Sequence, residues 1–127
     1  NVEEAYSSFR AKSLFRDWSD ESVRLYAETG TRPANGVVEL VWPPEWEAYY
    51  FSTLYTKTWE ELPKLNLPTL VVRGGHSDTF MAESAERVRQ LVPGMTYAEV
   101  PGHGHLFPQS APDETRRLIQ DWLASLA

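Results

Sequence analysis

The second half of the sequence alternates between short β-rich runs and longer helical runs, and this order constrains the fold more than any other feature. Residues 69–73 and 96–100 have the composition of strands, while residues 82–92 and 112–126 carry apolar positions at helical spacing. Two consecutive strands that are joined by a helix lie parallel, in a sheet that needs helices on both faces. The sequence therefore predicts a β-α-β-α unit of the α/β class.

A unit of this kind is predicted to be incomplete. A parallel sheet of only two strands leaves the outer hydrogen-bonding edge of each strand unpaired, and such edges pair readily with other chains. We therefore expect the remaining strands to come from another polypeptide or from a second copy of this chain.

The half that precedes these strands is predicted to be small and helical. Asn1 and Glu4 have the spacing of a capping box, which predicts a helix that continues to about Phe15. Ser19 is the predicted N-cap of a second helix, and Gly30 is expected to end that helix in the left-handed conformation.

The rest of this half is predicted as a turn at 31–36, an extended segment at 36–42 and a helix over 45–52. A short helical stretch is expected around Trp59. Most of the tryptophans and tyrosines of the chain lie in this half. Aromatic residues in such numbers form a hydrophobic core more often than a substrate pocket.

The charge of the chain excludes some classes of partner. The 12 Lys and Arg residues are outnumbered by 18 Asp and Glu residues, for a formal net charge of -6, which disfavours nucleic acid and anionic membranes. The absence of cysteine excludes a disulfide framework, a thiolate metal site and a cysteine nucleophile. No apolar run approaches the roughly 20 residues that a membrane-spanning helix needs. These features are typical of a cytoplasmic protein, and we expect no membrane association.

All three histidines follow the two predicted strands. His76 and Asp78 come after the first strand, and His103 and His105 come after the second. Catalytic groups in open parallel sheets gather at the carboxyl ends of the strands. A carboxylate that accepts a hydrogen bond from one imidazole nitrogen leaves the other nitrogen free to take a proton from a hydroxyl nucleophile.

These two loops also resemble a known family. Residues 65–80 (LNLPTLVVRGGHSDTF) and 100–108 (VPGHGHLFP) are similar to the acid and histidine segments of the α/β-hydrolases. The resemblance implies that Asp78 is the acid and His105 the base of a catalytic triad. It also implies that His103 occupies a variable position.

The resemblance extends, more weakly, to the first half. Residues 10–18, 36–40 and 43–45 look like the helical cap that such hydrolases insert before their last two strands. The resemblance thus implies a cap over residues 1–62 and the C-terminal part of an α/β-hydrolase core over residues 63–127. The nucleophile elbow of the family, Gly-x-Ser-x-Gly, is absent from the sequence. The implied partner is an N-terminal half that carries the nucleophile, without which no triad catalysis is expected.

Two further assignments concern ligands. His76, Asp78, His103 and His105 could together hold a metal, but the hydrolase resemblance accounts for the same residues, and no metal or other cofactor is expected. Because caps of this family cover the active site, aromatic residues of the first half and apolar residues of the two loops are candidates for substrate binding. They are Trp42, Trp46, Tyr49, Tyr50, Phe51, Phe80 and Leu106.

Three functions remain open at this point. The leading prediction is an esterase-like hydrolase that acts on a small apolar ester with a serine nucleophile from the missing half. The alternative within the family is an epoxide hydrolase or haloalkane dehalogenase with an aspartate nucleophile. From a different class, the chain could be a non-catalytic interaction module that dimerises through its open sheet edge.

Overall fold

A computed structural model describes all residues from Asn1 to Ala127 and divides the chain into two units, Asn1–Tyr55 and Thr56–Ala127. The first unit contains helix α1 (Val2–Arg10), a 3-10 turn (Ser13–Phe15), helix α2 (Asp20–Thr29), strands β1 (Thr31–Ala34) and β2 (Val37–Leu40), and helix α3 (Pro44–Ser52). The second contains helix α4 (Thr58–Glu61), a 3-10 turn (Leu62–Lys64), strand β3 (Leu70–Gly74), helix α5 (Ala82–Leu91), strand β4 (Thr96–Val100), and helices α6 (Phe107–Ser110) and α7 (Pro112–Ala124).

The core of the first unit lies between α1 and α2. Its buried side chains are Phe9, Phe15, Trp18, Val23 and Ala27. The ring of Phe15 lies 4.9 Å from that of Trp18 and 5.3 Å from that of Phe9, centroid to centroid. Edge and offset contacts of this kind add stability beyond the area that they bury.

Helix α1 starts as predicted but ends early. The capping box of Asn1 and Glu4 is present. The helix ends at Arg10, not near Phe15, because the guanidinium group of Arg10 donates hydrogen bonds to the carbonyl oxygens of Phe15, Arg16 and Trp18. Those bonds stabilise a chain reversal, which a continuous helix would not allow.

Gly30 does not adopt the predicted left-handed conformation. Ser19 caps α2 as expected, but Gly30 has φ -86° and ψ -2°, in the right-handed region. Glycine is needed there for space, because a Cβ atom would lie 2.6 Å from the carbonyl oxygen of Tyr26.

The predicted turn over residues 31–36 is instead half of a hairpin. Strands β1 and β2 pair antiparallel, with Ala34 opposite Val37. The turn itself is the dipeptide Asn35-Gly36, with φ angles of 49° and 82°. Asn-Gly favours the primed turns, whose twist matches that of the flanking strands. This signal is present in the sequence, and the prediction of a longer turn missed it.

The second unit has the predicted β-α-β-α order. Strands β3 and β4 pair parallel, from Leu70 opposite Thr96 to Gly74 opposite Val100. These two strands form the whole sheet, so each has one outer edge without a strand neighbour. The chain thus has the partial α/β fold that the sequence predicts. The short helix α6 was not predicted, and Pro108 lies in its first turn, where proline is favoured.

Helix α7 keeps an apolar side that is only partly covered. Ile119 and Leu123, four residues apart on one side of the helix, are 42% and 53% exposed. Leu126, just beyond the end of α7, is 49% exposed. None of the helices has both the length and the apolar character that crossing a membrane requires.

Candidate active site

The loops that follow β3 and β4 emerge at the same edge of the sheet and are joined to each other. The backbone N–H of Gly75 donates to the carbonyl oxygen of Val100, and the backbone N–H of His76 donates to the carbonyl oxygen of His103, both at 2.9 Å. A Cβ atom on Gly74 would lie only 2.0 Å from the carbonyl oxygen of Gly104. The two loops therefore pack backbone against backbone, which only glycine at position 74 permits.

Arg73, the fourth residue of β3, donates hydrogen bonds to the loop that follows this strand. This buried side chain donates from Nε to the carbonyl oxygen of Phe80 at 2.7 Å and from Nη2 to that of Ser77 at 3.4 Å. Its Nη1 pairs with the carboxylate of Glu99 on β4 at 2.9 Å. A charge that is taken out of water needs such partners. The arginine thereby fixes both ends of the segment that carries Asp78.

The Glu99 carboxylate has a second neighbour, because the hydroxyl of Tyr97 donates to it at 3.1 Å. Burial of the ring, followed by the hydrogen bond to Glu99 and the negative charge of that carboxylate, raises the pKa of the Tyr97 phenol above its ordinary value. The phenol therefore stays protonated as a donor to Glu99 in the folded protein at neutral pH.

His105 is exposed and its Nδ1 contacts Ser77, not Asp78. The distance from Ser77 Oγ to His105 Nδ1 is 3.1 Å. The exposed carboxylate of Asp78 instead accepts a hydrogen bond from the hydroxyl of Thr79 at 3.3 Å. The structure thus places the two predicted triad residues in adjoining loops, without the hydrogen bond expected between them. Ser77 points inward from this loop and Asp78 outward, which explains the difference.

The other two histidines lie apart from this contact. His76 is exposed, and Nδ1 of His103 lies 2.8 Å from the hydroxyl of Ser110 at the end of α6. No three His, Asp or Glu side chains in the chain are grouped as metal ligands. The arrangement therefore gives no support to the alternative of a metal site built from His76, Asp78, His103 and His105.

The candidate substrate-binding residues fall into two sets. Phe80 and Leu106 are half-buried within the joined loops. The aromatic residues of the first unit are strongly exposed, at 61% for Trp42, 61% for Trp46 and 70% for Tyr50. Tyr49 and Phe51 on α3 are exposed as well. Trp46 and Tyr49 line a shallow hollow with Glu45. Aromatic side chains exposed in such numbers are typical of a surface that binds an apolar partner or ligand.

Three residues at this edge were not singled out from the sequence: Ser77, Arg73 and Glu99. Arg73 and Glu99 were detectable in principle, since each is a charged residue within a predicted strand and such residues are rarely buried without a partner. The resemblance favoured Asp78 as the neighbour of His105, and nothing in the sequence indicated that the adjacent Ser77 would make the contact instead.

Comparison with known proteins gives one similar sequence and several similar structures. Epoxide hydrolase 3 of Mus musculus is 31% identical over 120 residues, which cover 81% of this chain but 32% of that protein. No protein-family model matches the chain.

Among solved structures, E-2-(acetamidomethylene)succinate hydrolase matches with a TM-score of 0.86 and 20% identity, over 97% of this chain and 45% of that one. An esterase of Mycobacterium tuberculosis matches with a TM-score of 0.76 and 16% identity, over 98% of this chain and 43% of that one. The chain therefore spans about a third to less than half of the length of the proteins that it resembles.

Proposed function

Because the chain belongs to the α/β-hydrolase family, corresponding to the C-terminal half of its fold, we propose that it supplies the acid and the base of a hydrolytic triad to a nucleophile outside these residues. His105 is the proposed general base and Asp78 the residue that orients it. The observation that carries the proposal is the joining of the two loops, since His76 N–H and Gly75 N–H tie the loop of Asp78 to that of His105.

In this proposal His105 takes the proton of a serine hydroxyl through Nε2 as the serine attacks an ester carbonyl. The same imidazolium then gives a proton to the leaving alcohol, and the acyl-enzyme is hydrolysed by a water that His105 activates. Asp78 stabilises the imidazolium through Nδ1, which requires its carboxylate to approach the ring more closely than in the present arrangement. Asp78 directly follows Ser77, whose hydroxyl contacts this ring nitrogen.

The proposed partner is the N-terminal half of the same hydrolase. Both outer strand edges of the β3–β4 sheet are open, and the chain covers less than half of the similar structures. The half that is proposed to complete the sheet also brings the nucleophile elbow and the oxyanion hole. The chain alone is expected to be inactive by this route.

The proposed substrate is a small ester with an apolar acyl or aromatic part. In the first unit, the exposed aromatic residues of α3 and Trp42 are the proposed substrate-binding residues. In the second unit, they are Phe80 and Leu106 in the two loops. The net charge of -6 disfavours polyanionic substrates.

A second candidate, epoxide hydrolysis, is favoured by one observation, the 31% identity to an epoxide hydrolase. An aspartate nucleophile would then open the epoxide to an alkyl-enzyme ester, and His105 would activate the water that hydrolyses it. The exposed hydroxyls of Tyr49 and Tyr50 are candidates to protonate the epoxide oxygen.

The test uses the protein purified with any polypeptide that accompanies it. Turnover is measured on nitrophenyl esters of graded chain length and on an aryl epoxide, and the intermediate trapped during turnover is located by mass spectrometry. An acyl group on serine supports the esterase, and an alkyl ester on aspartate supports the epoxide hydrolase. No turnover of either class, with the chain present as a homodimer, would instead support a non-catalytic interaction module.

Two variants and one control test the residue assignments. His105→Ala is expected to lower kcat at least about 10³-fold, and Asp78→Asn on the order of 10⁴-fold if it reverses the tautomer of the histidine. His76→Ala is the control, with an expected loss within about tenfold, because His76 is exposed and lies in the same loop. Near-full activity of a folded His105→Ala protein contradicts the proposal.

A further inference from the structure

Ser77 is an inward-facing hydroxyl that contacts the proposed base. The residue is only 5% exposed, and its Oγ lies 3.1 Å from Nδ1 of His105. A role for Ser77 as the nucleophile does not fit this geometry, because the residue is buried and the contact uses the ring nitrogen that faces the acid in a triad. The contact is instead suited to setting the state of the imidazole.

The hydrogen bonds of this hydroxyl determine which nitrogen of the ring carries the proton. A serine hydroxyl has one hydrogen to donate and two lone pairs that accept. The backbone N–H of Phe80 donates to Oγ of Ser77 at 3.0 Å. The hydroxyl hydrogen then has one polar neighbour left, His105 Nδ1, and a buried donor without an acceptor costs about 1–3 kcal/mol. Nδ1 accepts that hydrogen only when it is unprotonated, so the ring proton lies on Nε2.

We infer that Ser77 is a positioning residue that holds His105 in the Nε2–H tautomer. The catalytic consequence of this inference rests on the proposed function. A base that accepts a proton through Nε2 needs the Nδ1–H tautomer, which is the opposite one. The carboxylate of Asp78 is an acceptor and stabilises the Nδ1–H tautomer, whereas the hydroxyl of Ser77 stabilises the Nε2–H tautomer. Adjacent residues of one loop thus favour the resting and the competent state of the same imidazole.

The change between these states conserves protons. The neutral ring loses the proton on Nε2 to water and gains one from water on Nδ1, which the exposure of His105 permits. Nδ1 then donates to Asp78, and Ser77 Oγ keeps its bond from Phe80. The hydroxyl hydrogen of Ser77 loses its acceptor in this state, and that cost favours the Nε2–H tautomer at rest. The base becomes competent when its Nδ1 leaves Ser77 for Asp78.

The tautomer is measured by long-range proton–nitrogen NMR correlation on protein with nitrogen-15 histidine, at about pH 9, well above the ordinary histidine pKa of about 6.5. Signals of His105 are assigned from their loss in His105→Gln. The unsubstituted protein is expected to show an unprotonated Nδ1 and a protonated Nε2 for His105. An Nδ1–H tautomer there overturns the inference without the need for any variant.

Two substitutions of Ser77 and one control test the cause. Ser77→Ala is expected to raise the ratio of the Nδ1–H to the Nε2–H tautomer at least about threefold, and Ser77→Thr, which keeps the hydroxyl, to restore the original ratio. Ser110→Ala removes the corresponding hydroxyl from His103 and is expected to change the signals of His103 alone. An unchanged His105 ratio in folded Ser77→Ala overturns the inference. If Ser77→Ala does not fold, the tautomer of His105 in the unsubstituted protein decides whether the inference holds.

The tautomer measurement needs no turnover, so it separates this inference from the proposed function. A fully active His105→Ala protein with the expected tautomer in the unsubstituted chain would remove the proposed base but leave the Ser77 contact established. The Nδ1–H tautomer together with an inactive His105→Ala protein would support His105 as the base but overturn the inference about Ser77.

Discussion

Arg73 illustrates how one buried charge organises the candidate site. Its guanidinium group joins β3, β4 and the Asp78 loop through Glu99 and two carbonyl oxygens. Each of these bonds has a charged donor whose side chain is buried, and hydrogen bonds to charged groups contribute more than neutral ones. Loss of Arg73 should therefore affect the loop as well as the stability of the unit.

Arg73→Ala is expected to lower the free energy of unfolding by about 2–3 kcal/mol, because it removes charge-assisted bonds and leaves two carbonyl oxygens of the loop without this donor. Arg116→Ala is the matched control. Its pair with Asp113 is exposed on α7, so the expected change is within about 0.5 kcal/mol. Urea denaturation measures both, and equal losses in the two variants would contradict the role given to Arg73.

Tyr97 gives a prediction for alkaline pH. Its phenol has a raised pKa, so the unfolded chain releases this proton at about pH 10 and the folded protein at higher pH. The stabilisation is fully present below pH 10 and is lost as the pH rises through the folded value. Spectrophotometric titration should show one tyrosine ionising later than the others, and Tyr97→Phe should remove that step. If the late step persists in Tyr97→Phe, the assignment is wrong.

At the scale of elements, the end of β3 packs against β4 and against the loop that follows β4. Gly74 pairs with Val100 in the parallel ladder, and its Cα faces the Gly104 carbonyl oxygen. The parallel register brings the two loops to the same edge, and the missing side chain lets them touch. The position of His105 relative to Ser77 and Asp78 therefore depends on this packing.

Gly74→Ala is expected to destabilise the protein by about 1–3 kcal/mol and to displace the His105 loop, because the new Cβ would meet backbone, which cannot rotate away. Gly94→Ala is the control, since a Cβ there meets nothing within 4 Å, and its expected effect is within about 0.5 kcal/mol. Thermal denaturation compares the two. Amide NMR shifts of residues 103–105 should move in Gly74→Ala only.

At the scale of the whole molecule, the chain presents surfaces that a closed α/β domain would cover. They are the two open strand edges, the apolar side of α7 with Ile119 and Leu123, and the exposed Leu126 just beyond that helix. Exposed apolar surface and open edges favour association with other chains. The proposed N-terminal half accounts for both features at once.

Intact mass spectrometry and light scattering of the purified protein should therefore show this chain with a second, different polypeptide or as part of a longer one. Leu123→Asp should weaken that association at least about tenfold, because it places a charge on the apolar side of α7. Gln120→Asp, on the same helix, is the control and should have little effect. A stable monomer of this chain alone would contradict the proposed partner.

The sequence by itself determined the α/β class, the parallel strands and the helices around them, because apolar periodicity and cap residues such as Ser19 act over a few neighbouring positions. It also placed Asp78 and His105 at one sheet edge, since consecutive parallel strands end on the same side.

The tertiary structure decided which side chain meets His105, where α1 ends and why Gly30 and Gly74 are glycines. Each of these depends on contacts between residues that are distant in sequence or on space left by a neighbouring backbone, as between Gly74 and Gly104 or Arg73 and Glu99. The periodicity of apolar residues predicts which face of a helix or strand a residue occupies, but not which atom of another element that residue contacts. Only the packed chain assigned the imidazole of His105 to the hydroxyl of Ser77.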